Sequence, residues 1–131
     1  MGDRGNIKIT GAGPHPIYLY THHGGSELDA VLRTVLARRA RWGEYDGSYL
    51  ARMIFSEMIK NEVGSEYGYG ISTDITDNEH AILHVNVNKK TVSRETEDGY
   101  LVGEAATCLW TYEQYLALDP DQGTEPPDGD A

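Results

Sequence analysis

Residues 17–32, IYLYTHHGGSELDAVL, change their hydrophobic period in mid-course, and that change sets the order of the elements on either side. Ile17, Leu19 and Thr21 alternate with Tyr18, Tyr20 and His22, the period of two expected of a half-buried strand. From Leu28 onward the apolar residues Leu28, Val31, Leu32, Val35 and Leu36 fall at i, i+3, i+4, i+7 and i+8, one stripe of an amphipathic helix. Gly24 and Gly25 lie at the joint and supply a turn. Ser26 followed by Asp29 approximates a capping box, with Asp in place of the usual Glu or Gln, and Glu27 suits the positive end of the helix dipole. Arg33, Arg38, Arg39 and Arg41 gather toward the other end, where cations are favoured.

Upstream, NIKIT (6–10) places Ile7 and Ile9 on one face and Lys8 on the other, and GAGPH (11–15) is rich in turn formers. The first two strands therefore form an antiparallel hairpin, with His15 exposed in its loop. Downstream, Leu50, Met53, Ile54 and Met58 repeat at helical spacing and predict a second helix from about Ser48 to Glu62, stopped by Gly64. Tyr49, Phe55 and Ile59 broaden its apolar stripe, so more than one side is expected to be covered, and its methionines read as core filler. The period of two then returns. YGYGISTDI (67–75) and AILHVNVN (81–88), separated by the turn TDNE, read as a hairpin, with Leu83, Val85 and Val87 on one face and His84, Asn86 and Asn88 on the other. KKTVSRE (89–95) and GYLVGEA (99–105), divided at TEDG, suggest one more hairpin. TYEQYLAL (111–118) is a short closing helix, capped by Thr111 with Gln114 three residues on, stopped before Pro120 and anchored by Trp110.

The order β-β-α-α-β-β-β-β-α predicts an α+β fold. Its sheet is expected to be antiparallel, two N-terminal and about four C-terminal strands, with the central helix pair on one face and a short C-terminal helix. At 131 residues the chain is one domain by ordinary size, and 39% hydrophobic with 24% charged residues is a globular composition. The net charge of −10 opposes non-specific binding to nucleic acid or an anionic membrane. Half of that excess lies in residues 119–131, DPDQGTEPPDGDA, with five acids and no base, which read as a disordered acidic tail behind a folded body of residues 1–118. The single cysteine, Cys108, allows no internal disulfide and reads as a buried small hydrophobe in a reducing compartment. No apolar run reaches membrane-spanning length and MGDRGNIKI lacks a signal-peptide core, so the expected location is the cytoplasm, with no membrane association.

THHGGSE (21–27) holds the densest chemistry. The glycines could bring backbone amides to an anion at the helix N-terminus, but the P-loop lysine and the dinucleotide spacing are missing, and Glu27 and Asp29 would repel phosphate. His22 and His23, adjacent in a strand, point to opposite faces, whereas His80 and His84 share one, and His84 could approach His22 if their strands are neighbours. Without HExxH, CxxC or similar spacing, neither a metal nor a cofactor is expected. A histidine acting as general base would have Ser26 close in sequence and Asp74, Asp77 or Glu79 to orient it, but no nucleophile motif selects them. The local structural role of a strand end, turn and cap accounts for most of this stretch. Gly68 and Gly70 similarly relieve crowding beside Tyr67 and Tyr69, or admit a ligand or a bulge. The arginines of the first helix read as a solvated face with Glu44 and Glu57 nearby.

MGDRGNIKI, LYTHHGGSEL, YLARMIFSEMI, GYGIST, DNEHAILHVN and WTYEQYLAL together resemble an uncharacterised family of small proteins of bacteria, archaea and their phages. The resemblance spans about residues 1–118. The family's hairpin ends in Leu-Tyr-Thr-His-Trp-Gly-Gly, so His22 matches while His23 stands where Trp is usual. It implies His22 with Gly24 and Gly25 as the functional position, Arg4 and Tyr20 beside it, and a compact accessory domain of viral or mobile-element type, with no reaction attached. Adding His84 from the strand pattern, the ligand-binding set is His22, Tyr20, Gly24, Gly25, Arg4 and His84. The leading expectation is a non-enzymatic accessory protein, with an anti-defence role among its uses, that binds a host protein or a small ligand. Acidity of this kind suits mimicry of nucleic acid toward a basic host protein, or a salt-adapted proteome. The alternatives are a small hydrolase built around His22, His84 and the glycine turn, and an oligomerising subunit in which helix 48–62 is half buried by another copy.

Overall fold

The computed structural model describes residues 2–118 apart from 44 and 76. The expected tail, the Pro120 stop and the position of Glu44 lie outside them. Six strands form one sheet in the order β3-β2-β1-β4-β5-β6: β1 (Gly5–Thr10), β2 (Ile17–Thr21), β3 (Tyr69–Ser72), β4 (Ile82–Asn86), β5 (Thr91–Glu95) and β6 (Leu109–Thr111). The helices are α1 (Leu28–Ala37), α2 (Gly47–Ile59), the single turn α3 (Ala105–Cys108) and α4 (Tyr112–Ala117). The class is α+β.

Ile7, Ile9 and Leu19 turn toward α1 and α2 and are fully or almost fully buried, together with Leu32, Val35 and Leu36 of α1 and Leu50 and Ile54 of α2. The alternation of β4 holds, with Leu83, Val85 and Val87 buried on the same side. The breadth of α2 is covered only in part: Met53, Phe55 and Met58 are half-buried against this core, whereas Tyr49 is 51% exposed. Cys108 is buried and His15 exposed, as read.

The sheet is mixed, not antiparallel throughout. β1 pairs with β2 antiparallel, but with β4 parallel, Ile7 opposite Leu83 and Ile9 opposite Val85. The hairpin expected of residues 67–88 therefore does not form. β3 lies outside β2, with Ile71 opposite Leu19, and two strands separate it from β4. Composition explains the exchange. β1 is apolar on its core face and needs a neighbour on each edge; Leu83, Val85 and Val87 extend that face, whereas the glycine-bearing YGIS buries no side chain fully and goes to the rim. The connection returns to the start of β4 across the sheet face opposite the helices, where the Asn6 side-chain amide donates to the Asp77 carbonyl and to Asn78 Oδ1, each at 3.2 Å.

The last expected hairpin forms in part. The Thr96 amide donates to the Tyr100 carbonyl and Glu95 bridges Leu101, but β6 takes the β5 edge beyond that, Trp110 opposite Val92. Trp110 gains burial against the Tyr115 ring, while Val102 stays 45% exposed. α4 carries the capping box read from Thr111 and Gln114, with both reciprocal bonds present.

The cap expected of Ser26 and Asp29 is absent. A 3-10 turn, Gly25–Glu27, leads into α1, and the Ser26 amide and hydroxyl both donate to the Asp3 carboxylate, at 2.9 and 2.5 Å. α2 ends at Ile59, before Glu62. The arginines near the end of α1 are paired: Arg38 with Glu57 at 2.8 Å and Arg39 with Glu113 at 2.7 Å, while Arg41 stacks over Tyr49.

Candidate functional site

The strand-to-helix joint is stitched to two other segments. The His22 amide donates to the Gly68 carbonyl and the His22 carbonyl accepts from the Asp3 amide, both at 2.8 Å. Its ring Nδ1 lies 3.0 Å from the Tyr20 hydroxyl. Arg4 pairs with Asp77 at 3.1 Å and Glu79 at 3.4 Å, and burial followed by the charges of Asp77, Arg4 and Glu79 sets the net upward shift of the Tyr20 hydroxyl. Arg4, Tyr20 and His22 thus collect beside the crossing segment. Gly24 and Gly25 complete the joint, and His80 holds Asp3 through Nε2.

His84 belongs elsewhere. It sits opposite Lys8, four residues along the register from the level of His22 and with β1 between their strands, so the two are separated by about 10 Å across the sheet and about 13 Å along it. His84 Nδ1 lies 2.6 Å from Glu95 Oε2, and its Nε2 lies 2.7 Å from the Thr10 hydroxyl. A carboxylate only accepts, so Nδ1 donates to Glu95, and Nε2 is the ring atom bonded to Thr10. The Ser93 hydroxyl donates to the same Glu95 oxygen at 2.7 Å, and Lys8 lies 3.7 Å from the other.

Burial acts to raise the Glu95 pKa, but the bonds from His84 and Ser93 and the charges of His84 and Lys8 hold it below the ordinary glutamate range. A depressed carboxyl stabilises the fold above its unfolded pKa, and that share is lost as pH falls through the folded value. Stability should therefore drop as the pH is taken down from about 4.3, the unfolded reference. In Glu95→Gln that acid limb should be shallower, measured as urea midpoints between pH 6 and pH 3.

A third feature was not singled out in the sequence. A cleft of about 580 Å³ opens between α1, the end of α2 and β3. Ala30, Val31 and Met58 give it apolar walls, and Glu27, Glu62 and Tyr69 stand at its polar side. His23 and Gly24 of the joint also line it. Glu57 is neutralised by Lys60 and Arg38, at 2.7 and 2.8 Å, which hold it below its ordinary value against the opposing effect of burial. Glu27 and Glu62 have no ion pair among the described residues; Glu62 accepts a 3.1 Å bond from the Tyr69 hydroxyl, which burial and then Glu62 push up. Apolar walls under unneutralised carboxylates suit an ammonium or guanidinium on an alkyl stem. The sequence itself carries little sign of it: Val31 belongs to the α1 stripe, and only the structure leaves it half-buried.

Among the described residues no three His, Cys, Asp or Glu side chains are grouped to hold a metal ion, and no helix is long and apolar enough to cross a membrane. Comparison with protein-family models, with curated proteins and with solved structures returns no match.

Proposed function

We propose that this chain is a non-enzymatic accessory protein, of the phage or mobile-element type its sequence resembles, that works by binding a host protein or small ligand through a cationic group. The observation that carries the reading is the cleft between α1, α2 and β3, with Val31 and Met58 on its walls and Glu27 and Glu62 without ion pairs among the described residues. The joint contributes His23 and Gly24, and the backbone of His22 ties it to residues 3 and 68, while Tyr20 and Arg4 lie beside the crossing segment and outside the cleft lining. A hydrolase around His22 and His84 has no such support, because the two rings do not share a site.

n-Butylguanidinium tests the reading. Titrated into the labelled protein at low salt, it is expected to shift the amides of Val31, Thr34 and Tyr69, while n-butyrate leaves them in place. Exposed charge pairs contribute up to about 1 kcal/mol each, so Glu27→Gln with Glu62→Gln should weaken binding by about tenfold. Raising ionic strength toward 0.5 M should weaken it in the wild type. Equal shifts from butyrate, or an unchanged affinity in the double variant, would remove the cleft from the function.

A further inference from the structure

We infer that the cationic partner is a basic, extended segment of another protein, added to the free edge of β3 as a seventh strand with one basic side chain in the cleft. The inference rests on the binding reading above and names its partner class. β3 is the outermost strand, paired inward to β2 and without a partner on its other side among the described residues. An exposed edge is normally protected by lysine, proline or another charge. From Tyr67 to Thr73 the sequence YGYGIST has none of these. Ile71 is 62% exposed on this edge, and Tyr67, two residues before the strand, is 82% exposed.

The pleat links this edge to the cleft. Ile71 lies opposite the buried Leu19, so it and Tyr69, two residues away, project on the helix side of the sheet, and Tyr69 lines the cleft. A strand laid outside β3 would send alternate side chains to that side: one apolar residue beside Ile71, and one long basic residue toward Tyr69 and Glu62. Charge decides between occupants. Glu27, Glu62, Glu66 and Asp74 surround β3 and have no ion pair among the described residues. A second copy pairing edge to edge would bring the same four acids against them, whereas a basic segment brings their complement.

The probe is acetyl-Lys-Val-Thr-Lys-Thr-Val-Lys-amide, whose second, fourth and sixth residues share one face. Its control is the same peptide N-methylated at the three central residues, which keeps the charge and removes backbone donors from both edges. The parent peptide is expected to slow amide exchange at Tyr69–Ser72 at least tenfold, and the methylated form to bind at least tenfold more weakly. Ile71→Lys should weaken the parent peptide at least tenfold and leave n-butylguanidinium binding unchanged. Equal binding of both peptides without protection of 69–72, while butylguanidinium still occupies the cleft, overturns the strand and leaves the binding reading standing. Binding of neither peptide nor butylguanidinium overturns both. Protection of 69–72 that grows with protein concentration alone assigns the edge to a second copy and overturns the basic segment.

Discussion

Asp29→Ala is expected to destabilise the protein by about 3 kcal/mol, the cost of removing one partner from a buried ionic cluster. Asp29 is 9% exposed on the first turn of α1 and faces three elements at once. Its Oδ2 accepts from Arg33 Nε at 2.8 Å, its Oδ1 accepts from the Tyr115 hydroxyl of α4, and Arg94 of β5 lies 3.8 Å away. Tyr115 is fully buried, and burial together with Asp29 pushes its hydroxyl far above the ordinary tyrosine range. Arg33 stacks on the Tyr115 ring at 4.9 Å and donates to the Leu118 carbonyl at 3.1 Å. Taking away the carboxylate therefore removes a counter-ion shared by two guanidinium groups and the acceptor of a buried phenol. Natural domains are stable by only about 5–15 kcal/mol, so the variant should melt several degrees lower with an unchanged m-value. Tyr115→Phe removes a single bond to a charged group and should cost less, about 2 kcal/mol. Urea titration followed by far-UV circular dichroism orders the two. An Asp29→Ala cost no greater than that of an exposed helix-end substitution would return Asp29 to the capping role suggested by its place after Ser26.

That role illustrates how far the sequence could be read. Wherever a period ran for several residues it was legible: the core face of β1, β2 and β4, the stripes of α1 and α2, and the Thr111–Gln114 box all stand where the pattern put them. Pairing was less legible. Strands next to each other in sequence usually pair, and a turn at TDNE made 67–88 look like a hairpin. The central sheet position instead went to the strand that could fill it, because Ile7 and Ile9 need apolar neighbours on both sides and YGIS, with Gly70 between Tyr69 and Ile71, buries no side chain fully, while Leu83 and Val85 are buried. β6 contains three residues, too few for a period to show. The parallel register of β1 and β4 also decided the surroundings of His84: its bonds to Thr10 and Glu95 follow from a pairing that no local pattern contains. The cleft was hidden for a different reason. Glu27 already suited a helix dipole, Val31 a core stripe and Glu62 a solvated helix end, so each residue had a sufficient local explanation. Only the packing of α1 against the end of α2 and β3 brings them to one opening.

The two glycines of the joint should respond very differently to alanine. Gly25→Ala is expected to cost about 3 kcal/mol, at the upper end of what overpacking brings, while Gly24→Ala stays within about 1 kcal/mol of the wild type. Gly25 donates its amide to the Asp3 carbonyl at 2.7 Å, and an added Cβ would lie 2.8 Å from that same oxygen, 3.0 Å from the Arg4 carbonyl carbon and 2.7 Å from the His80 ring. Two of these neighbours are backbone, and the ring is held by Asp3 through Nε2, so none can swing away. Relief requires the N-terminal segment to part from the start of α1, which loosens the Ser26 bonds to Asp3 as well. Gly24 has φ −119 and ψ 23, open to any residue, and its Cβ would stand 3.2 Å from Thr21 Oγ1, a contact that a small shift removes. Its loss of unfolded-state freedom on substitution partly offsets that crowding. Gly13→Ala, with no atom within 4 Å of the added carbon, serves as the reference. Chemical unfolding of the three variants separates close approach from turn conformation as the reason for the glycine pair. Equal losses at 24 and 25 would assign both to the turn. A loss confined to 25 makes the joint a clamp between the N-terminal segment and α1, the helix whose first turns place Glu27 and Val31 at the cleft.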